Sequence, residues 1–187
     1  VDKQAQEGDV VVTWDEEQGK FTFKREYSIT VKNNGVAPGN SGVVYDQPAL
    51  REGLEITSFT LDGGETLTAD EQGRYLLSEG VDLNPGGDQV FKVSITGTAT
   101  RDVVEDLPAT EDQCKAAKDD PNAATGLVNV ATLGDGTGEG EKDIECNPVK
   151  NPETQFAVEK ESAGEEPVEL EWDKDANAYA FTLSLIH

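Results

Sequence analysis

Two long stretches of the chain alternate regularly between apolar and polar residues. The apolar positions are Phe21, Phe23, Tyr27, Ile29 and Val31 in the first stretch and Phe91, Val93 and Ile95 in the second. Because successive side chains of a β-strand point to opposite faces, this alternation predicts strands with one buried and one solvated face. Arg25 occupies an apolar position of the first stretch, and we expect its charged end to reach the edge of the sheet.

Shorter apolar runs, separated by turn residues, fill most of the remaining chain up to residue 147. Together they predict about eight short strands and almost no helix, the pattern of an all-β, Ig-like Greek-key sandwich. Pro48 is expected to end a short strand that begins near residue 42. The periodicity is lost from 102 to 124, where we predict a long loop with one helical turn around 115–118.

The chain begins to repeat itself near residue 154. Val1-Asp-Lys3 recurs as Val158-Glu-Lys160, Trp14 recurs as Trp172, and Phe21 corresponds to Tyr179, at a nearly constant spacing. Two complete copies do not fit in 187 residues. The repeat therefore predicts one domain over 1–147, a proline-containing linker over 148–153, and the first strands of a second, truncated repeat over 154–187.

The charge of the chain excludes some partners. The sequence has 38 acidic and 15 basic residues, for a formal net charge of −23. Such a surface repels phosphate backbones and anionic membranes, so we expect no nucleic-acid partner. No apolar run is long enough to predict membrane insertion. Because the chain opens on a predicted strand, we expect it to be a piece of a longer protein.

The cysteine and histidine content bears on compartment and catalysis. Cys114 and Cys146 flank an apolar strand at 126–133, and we predict a disulfide between them in an extracellular protein. The alternative is two unrelated buried thiols. His187 is the only histidine, so a Ser-His-Asp triad, a Cys-His pair or a histidine metal site cannot form within this chain. We predict that the protein is not an enzyme.

A glycine-rich acidic segment at 134–143 is the one candidate for metal binding. Its carboxylates have the oxygen ligands that calcium prefers, although their spacing matches no EF-hand loop. The alternative is a solvated hairpin, and no other cofactor is predicted. The candidate ligands are Asp135, Glu139, Glu141 and Asp143.

Three motifs, in a fixed order, carry a family resemblance. They are Tyr27-Ser-Ile-Thr-Val-Lys-Asn-Asn-Gly35, Leu83-Asn-Pro-Gly-Gly87, and Gly126-Leu-Val-Asn-Val-Ala-Thr-Leu133 followed by Cys146-Asn-Pro. The chain from 1 to 148 thereby resembles the tandem conserved-repeat β-domains of actinobacterial and other Gram-positive cell-surface proteins. This resemblance implies attachment to the cell wall, neighbouring repeats as partners, and a host or matrix ligand for an adhesive repeat.

The resemblance also implies an internal crosslink. In Gram-positive surface sandwiches a first-strand lysine and a last-strand asparagine can condense into an isopeptide bond beside a buried carboxylate. By position, the candidates here are Lys3, Asn129 and Asp46. An inward face for Lys3 and Asn129 favours the reaction, because unpaired polar groups are costly there. If Val128 and Val130 face inward instead, Lys3 is a solvated edge residue and Asn129 bonds to backbone.

These observations favour a non-enzymatic stalk or adhesin module of a bacterial cell-surface repeat protein. The alternative function is an extracellular ligand-binding module that uses the loops at 102–124 and 134–143 for carbohydrate or calcium. A third candidate is an accessory domain of a carbohydrate-active enzyme. The segment 154–187 lacks the strands that would cover its apolar face, so we expect it to dock on the first domain or to mediate self-association.

Overall fold

The computed structural model describes residues 1–8, 10–119, 127–134, 140–150, 171–175 and 177–180. The chain divides into two compact units, Val1–Pro152 and Glu153–His187. Most of the second unit, including most of the predicted second repeat, lies outside the described residues.

Short strands make up most of the described part of the first unit, and two short helices lie between β10 and β11. The strands are β1 Asp2–Ala5, β2 Val10–Asp15, β3 Lys20–Lys32, β4 Gly39–Asn40, β5 Val43–Leu50, β6 Leu54–Leu61, β7 Glu65–Thr66, β8 Tyr75–Ser78, β9 Asp82–Leu83, β10 Asp88–Ala99, β11 Leu127–Gly134, β12 Glu141–Cys146 and β13 Val149–Lys150. The helices are α1 Arg101–Glu105 and α2 Glu111–Asp119.

The strands form two main sheets. The first has the order β13-β2-β3-β10-β6-β7, with β1 paired to β3 beside β2, and the second has the order β12-β11-β5-β8. Strands β4 and β9 form a separate small pair. The chain crosses between the two sheets several times, from β3 to β5, from β5 to β6 and from β10 to β11. The prediction of an all-β sandwich is confirmed.

The core lies between the inward faces of the two sheets. The apolar positions of the alternating stretch in β3 are buried, as predicted. Phe59 of the first sheet stacks on Tyr75 of the second, with ring centroids 3.8 Å apart and planes within 5°. Contacts of this kind across the gap define one continuous apolar core.

Arg25 takes the inward face of β3, as its place in the alternation predicts. The side chain is buried, and its Nε donates to Asn147 Oδ1 at 3.0 Å. Its Nη1 donates to the carbonyl of Gly8 at 2.8 Å, and its Nη2 donates to the carbonyl of Gln6. These carbonyls lie where the chain passes from β1 to β2, so Arg25 satisfies backbone acceptors that the ladder with β3 leaves open.

The segment predicted as a loop with one helical turn contains two helices, so that prediction is wrong. Helix α2 begins with a capping box, in which Thr110 and Gln113 exchange side-chain-to-backbone hydrogen bonds of 3.2–3.3 Å. Its Cys114 packs with Val128 and Cys146 in a second apolar cluster, on the outer face of the second sheet. Cys114 and Cys146 form the predicted disulfide.

Two further predictions differ from the structure. Strand β5 continues through Pro48 to Leu50 instead of ending before it. Because β8 pairs with β5 at Val44 to Asp46, Pro48 lies beyond that pairing, where a missing N–H is tolerated. Residues 149–150, predicted as linker, form β13 against β2, with Val149 fully buried.

The described part of the second unit is a β-hairpin of β14 Glu171–Asp173 and β15 Ala178–Ala180. Trp172 pairs with Tyr179, as Trp14 pairs with Phe21 in the first unit. Asn177 has φ 49°, a left-handed conformation that asparagine tolerates and that Gly19 adopts at the corresponding turn position. The two hairpins thus share their strand register and a left-handed residue at one turn position, at the predicted repeat spacing.

Candidate isopeptide site

Lys3, Asp46 and Asn129 form one cluster inside the sandwich. Their exposed fractions are 1%, 0% and 1%. Asp46 holds the other two, because its Oδ1 accepts a hydrogen bond from Lys3 Nζ and its Oδ2 accepts one from Asn129 Nδ2 at 3.0 Å. The amine and the amide that an isopeptide bond would join therefore share one buried carboxylate.

The strand register of the second sheet explains why Asp46 and Asn129 meet. In the pairing of β5 with β11, Asp46 lies opposite Ala131 and Asn129 lies opposite Pro48. Asp46 and Asn129 are thus diagonal neighbours on one face of the second sheet, within reach of each other's side chains. Lys3 comes from the first sheet, where it pairs with Ile29 of β3, and its side chain crosses the core.

The alternative facing considered for β11 is not the one observed. Leu127 and Ala131 belong to the main core, on the same face as Asn129. Val128 and Val130 belong to the cluster beneath α2, on the opposite face. Lys3 is accordingly buried, not a solvated edge residue.

Two aromatic side chains close the site. The Lys3 Nζ atom lies 4.6 Å from the centroid of the Tyr27 ring, a distance at which a cation is attracted to the ring face. Tyr75 pairs with Asp46 across β5 and β8. Sequence reasoning missed both residues. The alternation of β3 places Tyr27 on the inward face, but the register of β1 on β3 is needed to put it beside Lys3.

The surroundings of the cluster favour uncharged side chains. Burial lowers the pKa of the Lys3 amine, and the charge of Asp46 opposes that shift. Burial also raises the pKa of the Tyr27 and Tyr75 hydroxyls, with a smaller contribution from the Asp46 carboxylate. A lowered amine pKa is what a lysine nucleophile requires, because only the neutral amine carries a free electron pair.

The Asn129 side chain is held through its amide nitrogen, which donates to Asp46. The Asn129 Oδ1 is buried and has no hydrogen-bond partner among the described residues. Buried polar atoms are almost always paired, so an orphan acceptor in this cluster calls for an explanation. The carbonyl carbon that carries this oxygen is the electrophile in amide exchange.

The arrangement supports a balanced condensation without an oxidant or reductant. A first proton would pass from Lys3 Nζ to Asp46, and the neutral amine would attack Asn129 Cγ. The new N–C bond would form, the Cγ–Nδ2 bond would break, and the amide nitrogen would leave as ammonia. Asp46 would relay the second amine proton to the leaving nitrogen, a general acid–base role, and would keep the first, ending as a neutral carboxylic acid.

The structure describes two of the four calcium candidates, Glu141 and Asp143. Asp135 and Glu139 lie outside the described residues. Both carboxylate oxygens of Asp143 accept backbone hydrogen bonds, from Lys3 at 2.5 Å and from Ile144 at 2.9 Å. In the part of the chain that is described, three or more histidine, cysteine or acidic side chains nowhere form a group suited to a metal ion.

Comparison of the chain with protein-family models, curated proteins and solved structures gives no match. Among the described residues, the helices are too short and too polar for any of them to cross a membrane.

Proposed function

We propose that the first unit is a non-enzymatic structural module of an extracellular repeat protein, locked by an isopeptide bond between Lys3 and Asn129. The observation that carries the proposal is the single buried carboxylate of Asp46, which binds the lysine amine with one oxygen and the asparagine amide with the other.

A purely structural role for the cluster is a poor explanation of its composition. Burying a lysine and an aspartate costs several kcal/mol per ion before their attraction is counted, and apolar residues of similar size are often as stable. The unpaired Asn129 oxygen adds a further cost. Condensation replaces the charged amine with a neutral amide nitrogen and leaves Asp46 protonated, so the buried ion pair becomes two uncharged groups.

The crosslink suits a load-bearing module of a cell-surface stalk or adhesin. It would join the first strand of the fold to a central strand of the opposite sheet and enclose most of the domain in one covalent loop. The Cys114–Cys146 disulfide fits the oxidising conditions outside the cell, where such bonds persist. The hairpin register shared by the two units fits a tandem array of such modules.

The intact mass of the reduced protein tests this proposal. We expect the wild-type chain to be lighter than its sequence by one ammonia, and fragmentation to recover a branched peptide joining Lys3 to Asn129. Lys3→Met and Asn129→Ala should have their sequence mass. Asp46→Ala keeps both reacting groups but should also stay unmodified, because it lacks the proton relay.

Lys20→Met is the matched control, because Lys20 is a lysine of the same sheet whose amine binds the exposed Glu55. It should lose ammonia as the wild type does. A folded wild-type protein that keeps its full sequence mass contradicts the proposal.

A further inference from the structure

Asp143 connects the backbone of Lys3 to the second sheet. Its Oδ2 accepts the N–H of Lys3 at 2.5 Å, and its Oδ1 accepts the N–H of Ile144 at 2.9 Å. The first contact joins residues 140 positions apart in the sequence. The second fixes the carboxylate on its own strand.

Strand β1 needs such a connection more than other strands do. It is four residues long and, among the described residues, forms a ladder with β3 alone. A short strand that forms a ladder on one side only opens easily. If β1 opens, the Lys3 amine leaves the core, and the condensation cannot start.

Asp143 lies on β12, the strand that pairs with the Asn129 strand, β11. In the pairing of β11 with β12, Asp143 lies opposite Ala131 and Glu145 lies opposite Asn129. Lys118 of α2 binds Glu145 at 3.0 Å, and the disulfide holds the end of the same strand at Cys146. The hydrogen bond from the Lys3 N–H to Asp143 therefore fixes β1, which carries the nucleophile, relative to β11 and β12, the pair of strands that positions Asn129.

We propose that Asp143 is a positioning residue for isopeptide formation, which latches the backbone of Lys3 beside Asn129. This inference rests on the proposed crosslink. Holding two groups in a reactive geometry lowers the barrier to their reaction, and a one-ångström displacement is costly. From the worth of a hydrogen bond to a charged acceptor, loss of the latch should slow the condensation roughly tenfold to a hundredfold.

The test follows ammonia loss over time by intact mass, starting from chain that is newly made by cell-free synthesis. Asp143→Ala should react roughly tenfold to a hundredfold more slowly than wild type. Asp143→Asn keeps a carbonyl acceptor for the Lys3 N–H and should recover part of the rate. Lys142→Ala, an exposed residue on the opposite face of the same strand, should react at the wild-type rate.

Thermal unfolding of the same variants in a Lys3→Met background separates positioning from folding. There no crosslink can form, and Asp143→Asn should melt close to its parent. An Asp143→Ala rate within about twofold of wild type, or an Asp143→Asn rate as slow as Asp143→Ala, overturns the role of Asp143 alone. Wild-type chain that never loses ammonia overturns the crosslink and this inference together.

Discussion

Lys3 is the largest of the fully buried side chains among the described residues. Before condensation, burial disfavours the charged form of its amine by desolvation, and the attraction of Asp46 offsets part of that free-energy cost. The free energy of the uncrosslinked fold should therefore depend on the protonation of this one residue. In the crosslinked protein the amine is an amide nitrogen and no longer titrates, so the dependence should vanish.

This difference gives a pH prediction for Asn129→Ala, which keeps the amine but cannot react. The folded pKa of Lys3 lies below its ordinary 10.5, so between these two values the unfolded chain binds more protons. The stability of the variant should rise with pH across that window. The measurement is the melting temperature of Asn129→Ala relative to Lys3→Met/Asn129→Ala, from pH 7 upward. A difference that stays flat or falls below pH 10 contradicts the prediction.

The inward placement of Lys3 and Asn129 could be argued from the sequence because each shares a face with apolar neighbours. Their approach to Asp46 was expected from family resemblance alone. Tyr27 and Asp143 could not be added, because each meets Lys3 only through the pairing of distant segments. Alternation says which face a side chain takes, but it does not say which residue lies opposite.

At the scale of elements, the strands were the predictable part and helix α2 was not. The long strands carry many apolar residues at period two, whereas α2 has few apolar residues in its sequence. Its start was nevertheless encoded locally. Thr110-Glu-Asp-Gln113 has the spacing of a capping box, a signal independent of apolar periodicity.

Helix α2 and the isopeptide site lie on opposite faces of the second sheet, so the two crosslinks should be separable. We expect Cys114→Ala/Cys146→Ala to fold and to lose about 3–4 kcal/mol of stability, the loop-closure value for a bridge of this span. Its condensation should still go to completion, because the core cluster does not include α2. Denaturant unfolding and intact mass measure the two effects on one sample. A persistent unreacted fraction contradicts this independence.

At the scale of the whole molecule, the two crosslinks form overlapping covalent loops. The disulfide joins Cys114 to Cys146. The isopeptide bond would join Lys3 to Asn129, and Asn129 lies between the two cysteines in the sequence. Tension applied at the two ends of the first unit would then pass from Lys3 directly to Asn129. Residues 4–113 would carry no load, and the disulfide would add a second, parallel path from Asn129 back through residues 128–114 to Cys146.

Single-molecule stretching of the first unit between handles at residues 1 and 150 tests this load path. Contour length scales with the residues released, at up to about 3.5 Å each. Wild type should therefore extend by only about 5 nm, with or without reductant, because both paths from Asn129 to Cys146 are short. Asn129→Ala should extend by about 40 nm when oxidised, since the chain is then free up to Cys114, and by about 50 nm when reduced. A wild-type extension near the Asn129→Ala value would mean that Lys3 is not covalently joined to Asn129 and that tension follows the ordinary backbone.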